Sequence, residues 1–126
     1  YRGKVLLVRE SSRYEDGAEK GKWDMVGGRI EPEEKLQEGL MREVKEESGL
    51  SIVIGDPIGV FDGFPNIRGE ICHVVRVYFL CEAQSDQVAL SQDHDAFDWV
   101  EPDAIGNKIL MDDIAQMLEA FKRRKA

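Results

Sequence analysis

Three glutamates, Glu43, Glu46 and Glu47, stand at i, i+3 and i+4 in the run EVKEESGL. On a helix that spacing gathers all three on one side. Taking about 100° per residue, Glu43 and Glu47 point within roughly 20° of Leu36, while Leu40 and Val44 lie roughly 40° and 80° to one side of it. Glu46 lies roughly 80° to the other side. The carboxylates therefore share the apolar stripe, whereas a solvated acidic face would oppose it. Like charges held against a protein body are costly unless something compensates. A hard divalent cation with oxygen ligands is the natural candidate.

A helix must position these groups. Pro32 suits its first turn, Glu33 and Glu34 suit the positive end of its dipole, and Gly49 suits its C-terminal cap. Strands are expected at residues 4–9, 23–26, 51–62 (with a bend near Asp56-Pro57), 70–82 and 97–100. Residues 10–22, 64–69 and 85–95 read as loops. Pro102 suits a helical turn. Leu110, Ile114, Met117, Leu118 and Phe121 form the apolar stripe of a second helix over residues 110–122. Its basic end at Lys122 to Lys125 complements the helix dipole. Strands and helices alternate irregularly, so an α/β fold with a mixed β-sheet flanked by helices is expected.

Composition excludes several function classes. The chain has 126 residues, 42% of them hydrophobic, which suits a single domain with one ordinary core. The formal net charge of −8 argues against nonspecific binding to nucleic acid or an anionic membrane surface. It leaves room for a phosphorylated substrate whose charge is bridged by metal ions. No apolar run approaches the roughly 20 residues of a membrane span, and no signal peptide is visible. Cys72 and Cys81 have no metal-like or redox-like spacing and read as reduced thiols of a cytoplasmic protein. His73, mid-strand, reads as an ordinary core or surface histidine. His94 sits beside Asp93 in a loop.

The glutamates belong to a longer pattern. It runs Gly, five residues of any type, Glu, seven of any type, Arg-Glu-aliphatic, any, Glu-Glu, any, Gly, aliphatic. Here those positions are Gly28, Glu34, Arg42, Glu43, Val44, Glu46, Glu47, Gly49 and Leu50, and every one matches. So many fixed positions are far more specific than a lone GxGxxG. The segment resembles the Nudix box, and the surrounding strands and Trp99 resemble that family's layout along nearly the whole chain. The resemblance implies a Nudix-type α/β/α sandwich of the MutT-like pyrophosphohydrolases. Three departures stand out. Val26 replaces a common proline, Gly39 replaces a common helix alanine, and the strand that usually precedes the one at Lys4 is expected to be missing from residues 1–126. Glycine at position 39 should cost the helix about 1 kcal/mol.

What the resemblance implies for the site follows residue by residue. Water attacks a phosphorus of a pyrophosphate in a nucleoside diphosphate linked to another group, assisted by Mg²⁺ or Mn²⁺. Glu43, Glu46 and Glu47 are the implied metal ligands, with the backbone carbonyl of Gly27 as a further one. One of these carboxylates, or Asp93 on a nearby loop, would accept the proton of the attacking water. Glu34 and Arg42 are implied to pair and brace the loop against the helix, with Gly28 and Gly49 shaping its ends. Arg29 is a candidate contact for substrate phosphate, and Phe64 for the rest of the substrate. Phe61 and Trp99 could also stack on a base, although such aromatics are more often core.

Substrate is less legible. ADP-ribose pyrophosphatases of the family carry a proline beyond the box followed by a glutamate, at the spacing of Pro65 and Glu70 here. That weakly favours ADP-ribose or a nucleoside diphosphate sugar. The short chain suits the alternative, a (d)NTP or 8-oxo-dGTP pyrophosphatase. A non-catalytic nucleotide-binding module is the third reading, but such modules tend to lose box glutamates and this chain keeps them. The expected partner is a small nucleotide, with no nucleic acid and no membrane, and a homodimer is left open.

Overall fold

A computed structural model describes residues 1–11 and 20–125. Among the described residues, seven strands and two helices follow in the order β1 (Val5–Glu10), β2 (Trp23–Asp24), α1 (Leu36–Ser48), β3 (Ile52–Gly63), β4 (Asn66–Ile67), β5 (Glu70–Ile71), β6 (Val74–Ala83), β7 (His94–Val100) and α2 (Ile114–Lys125). Most of the polar segment expected between Glu10 and Lys22 lies outside the described residues.

The strands form a three-stranded sheet in the order β2-β1-β7, a long β3-β6 ribbon and a short β4-β5 pair. These ladders are antiparallel. The parallel character of the sheet rests on one bridge, Trp23 to Leu110. Alternation along β1 divides the interior. Val5 and Leu7 face one apolar cluster with Val100, Met111, Ile114 and Leu118. Leu6 faces the other, with Val44, Leu50, Ala83 and Trp99. Side chains alternate across a strand, so α2 and α1 cover opposite faces of that sheet. This is the α/β/α layering of the expected fold.

Five expectations need correction. The first helix starts at Leu36, after Pro32, Glu33 and Glu34. Glu33 sits at φ 70°, which breaks the helical path, and the backbone N–H of Glu31 donates to the Glu34 carboxylate. The second helix starts at Ile114. Leu110 is held instead in the parallel bridge, where Trp23 N–H donates to Ile109 O and Met111 N–H to Trp23 O. The strand expected over residues 70–82 is interrupted at Cys72-His73, and the expected loop 64–69 contains β4. Pro102 lies in a turn, closed by Ala104 N–H on Glu101 O.

Candidate active site

Leu36 is 45% exposed, so Leu40, Val44 and Ser48 set the inward face of α1. Ser48 is fully buried and returns its hydroxyl to Val44 O at 2.6 Å. Gly49 adopts φ 75° and caps Lys45 O through its N–H, as its type allows without a Cβ penalty. On this frame Glu43 and Glu47 are half-buried and Glu46 is exposed. The glutamates thus occupy the border of the apolar stripe and do not share it as expected, because Leu36, the reference for that expectation, faces outward.

Two glycines and an arginine fix the carboxylates. A Cβ on Gly28 would collide with the Glu43 side chain, so glycine lets the loop lie over that carboxylate without displacing it. Gly27 N–H reaches Glu47 Oε2 at 3.4 Å. Arg42 donates to both oxygens of Glu34, Nε to Oε2 at 2.7 Å and Nη2 to Oε1 at 2.9 Å. Its other contacts are Glu43 Oε1 at 2.9 Å, Glu46 Oε2 at 3.2 Å and Arg29 O at 3.1 Å. Hydrogen bonds from Arg42 hold the Glu34 carboxyl down at about 2. The bracing pair is therefore a bidentate fork that also fixes the backbone beside Gly28.

The turn before β7 is tied to the end of α1. Ala89 N–H donates to Ser48 O at 2.9 Å and Ser91 N–H to Glu47 O at 3.3 Å. Two residues on, Asp93 N–H reaches Ser91 Oγ, and Asp93 O accepts from Ser11 N–H. These bonds bring the Asp93 charge to bear on Glu47. Burial, with Glu43, Asp93 and Asp24 adding negative charge nearby, pushes the Glu47 carboxyl up to about 8.

That pattern passes a chemical test for a hard cation. A carboxyl pushed so far up marks negative charge that the protein does not itself neutralise, and the oxygen donor set is of the type such ions take. Among the described residues, no three acidic, histidine or cysteine side chains converge on one point as they stand, and Arg42 engages Glu43 and Glu46.

Other expected residues lie elsewhere. Arg29 is exposed, its carbonyl taken by Arg42. Phe64 is 66% exposed near the ribbon tip and stacks on His73 at 4.6 Å, and His73 pairs with Asp62 at 2.7 Å. Trp99 belongs to the α1-side cluster and donates to Asp86 O. His94 is half-buried beside Asp93, with its Nδ1 unpaired.

A second constellation escaped the motif. Arg76 lies 3.9 Å from Asp24 Oδ2 and 3.6 Å from Asp113 Oδ1, and Tyr78 donates to Asp113 Oδ2 at 2.6 Å. Burial pushes the Asp24 carboxyl up to about 6 despite Arg76. The available signals were a lone arginine inside the apolar run VVRVYF and an acid at the mouth of an amphipathic helix.

A model of the NUDIX domain matches residues 1–121. The chain belongs to this family. A MutT protein from Methanosarcina mazei Go1 is 31% identical and superposes with a TM-score of 0.81 over 98% of this chain and 86% of that one. The nucleoside triphosphatase NudI of Klebsiella pneumoniae is 28% identical over 83% of this chain and 78% of its own length. The CTP pyrophosphohydrolase of Escherichia coli K12 is 26% identical over 98% and 86%. Members of the Nudix family are pyrophosphohydrolases, and this chain is such an enzyme. No helix among the described residues is long and apolar enough to cross a membrane.

Proposed function

We propose that this Nudix enzyme hydrolyses a nucleoside triphosphate, releasing pyrophosphate, in a site built on Glu43, Glu46, Glu47 and Asp93. The observation that carries the site is the Glu47 carboxyl raised to about 8 among Glu43, Asp93 and Asp24. Glu43, Glu46 and Glu47, with the Gly27 carbonyl, would hold Mg²⁺ or Mn²⁺. Such ions neutralise phosphate charge and acidify water when bound. The chain's own groups do the rest. The Arg42–Glu34 fork fixes the loop against α1, and Gly28 admits the loop over Glu43. Water forms a bond to one phosphorus, the bridging P–O bond breaks, and the proton of the water passes to Glu47 or Asp93.

One observation favours a triphosphate over ADP-ribose. Relatives named for nucleoside triphosphates align with most of the chain. Mg²⁺-dependent turnover of a panel of dNTPs, 8-oxo-dGTP, ADP-ribose and diphosphate sugars tests the reading. Pyrophosphate release should dominate, and AMP with ribose phosphate as the best activity would reinstate ADP-ribose. A Glu46→Gln change should lower kcat about a hundredfold or more. Wild-type turnover in that variant would remove Glu46 from the site, and nucleotide binding without product at any metal concentration would make the chain a binding module.

A further inference from the structure

The last turn of α1 leaves backbone carbonyls that the helix itself cannot satisfy. Gly49 N–H takes Lys45 O, and the segment before β7 takes two more, Ala89 N–H on Ser48 O at 2.9 Å and Ser91 N–H on Glu47 O at 3.3 Å. The helix that carries the glutamates therefore anchors the segment that carries Asp93.

Ser91 ties that segment together. Its carbonyl accepts His94 N–H at 3.4 Å, which closes a four-residue turn over residues 91–94. Its hydroxyl oxygen accepts Asp93 N–H at 3.3 Å. Serine suits the first position of such a turn because its oxygen reaches the N–H two residues on. From the other side, Ser11 N–H donates to Asp93 O at 2.9 Å. With both backbone groups of Asp93 bonded, its side-chain torsions are what remains free. The ladder beyond the turn also slips. Arg9 pairs with Ala96 but Glu10 pairs with His94, so β7 uses two residues where β1 uses one. A bulge of this kind re-aims the side chains beside it. The extra residue, Asp95, accepts from Arg9 Nε at 2.6 Å, which holds the slip in place. Turn and bulge together bring Asp93 to the side where its charge reaches Glu47.

We propose, building on the pyrophosphohydrolase site of Glu43, Glu46, Glu47 and Asp93, that Ser91 is a positioning residue for the reaction. Its hydroxyl sets the turn that directs the Asp93 carboxylate toward the glutamates. Every residue type but proline carries a backbone N–H, so the anchor on Glu47 O survives substitution, and the hydroxyl is what serine adds. Removing it leaves Asp93 N–H without that acceptor and lets the peptide between Gln92 and Asp93 rotate. The carboxylate then shifts relative to the attacked phosphorus and its water. A misplacement of about 1 Å can cost up to about a hundredfold in rate.

The test uses the full chain, Mg²⁺ and the best-cleaved nucleotide of the panel above, with Mn²⁺ affinity by calorimetry and the melting temperature as companion measurements. Ser91→Ala should lower kcat about tenfold, with KM and Mn²⁺ affinity within about twofold of wild type. Ser91→Thr and Ser91→Asn keep an oxygen that can accept from the N–H two residues on, and should restore kcat to within about twofold. Asp93→Asn should lower kcat further, and adding Ser91→Ala to it should change nothing more, because the serine acts through that carboxylate. If the alanine variant does not fold, Ser91→Val against Ser91→Thr repeats the comparison with side chains of one shape. Three outcomes overturn the proposal and leave the site standing: wild-type kcat without the hydroxyl, a threonine variant no better than alanine, or the same tenfold loss in the Asp93→Asn background. Wild-type kcat in Asp93→Asn removes Asp93 from the site and overturns both.

Discussion

At the residue scale, the half-buried Glu47 carboxyl makes stability depend on pH. Its ordinary value near 4.5 is raised to about 8 in the folded chain. Between those values the folded state holds a proton that the unfolded state has released. Stability from this group is therefore lost as pH rises through about 8. Asp24, raised to about 6, acts in the same direction but is finished lower. His94 acts oppositely, since burial lowers it from 6.5, and its contribution is complete by about pH 7. The metal-free melting temperature should thus fall between pH 7 and 8.5, and Glu47→Gln should flatten that slope. Mg²⁺ displaces the proton, so its stabilising effect should grow over the same range. A flat metal-free profile from pH 7 to 8.5 would contradict the picture. The identity of these glutamates was legible because the motif fixes both type and spacing. The raised proton affinity of Glu47 was not, because it depends first on burial and then on charges that include Asp93 and Asp24, which come from distant parts of the chain.

At the element scale, α1 shows why a helix boundary is hard to read. Pro32, Glu33 and Glu34 suit a helix start by type, yet tertiary demand overrides them. Glu34 is needed by Arg42 two turns on, and Glu33 adopts a left-handed conformation on the way. Gly39 belongs to the same arrangement. A Cβ there would stand 2.5 Å from Ile30 Cδ1 and 2.7 Å from Glu34 Oε1. The isoleucine tip can move, but the Glu34 carboxylate is pinned by Arg42 and Glu31 N–H. The helix thus accepts a weak former to keep the fork closed. Gly39→Ala should gain no stability, despite a propensity benefit of about 1 kcal/mol. In a Glu34→Ala background that benefit should reappear. Urea denaturation of the four proteins decides it, and the same gain in both backgrounds would show that the fork imposes nothing on position 39.

At the scale of the whole molecule, the layering was legible from alternating apolar strands and the stripe of α2. The division into a three-stranded sheet and a separate ribbon was not. It depends on the Trp23–Leu110 bridge and on the shifts in the β3-β6 register between Ile54 and Gly59, neither of which leaves a periodic trace. The ribbon meets α2 at Gly59, where a Cβ would collide with Met117 Cε and lie 3.1 Å from Phe61 Cε2. Met117 is 1% exposed, so its methyl has no free space to enter. Gly59→Ala should therefore destabilise by about 1–3 kcal/mol, the usual cost of overpacking. Met117→Leu, which withdraws the terminal methyl, should recover part of that loss, so the double variant should cost less than the two single changes summed. Because α1 and its glutamates lie across the sheet, divalent-cation affinity should stay at the wild-type value in Gly59→Ala. Cation affinity falling in step with stability would mean that the two sides of the cleft are not mechanically separate.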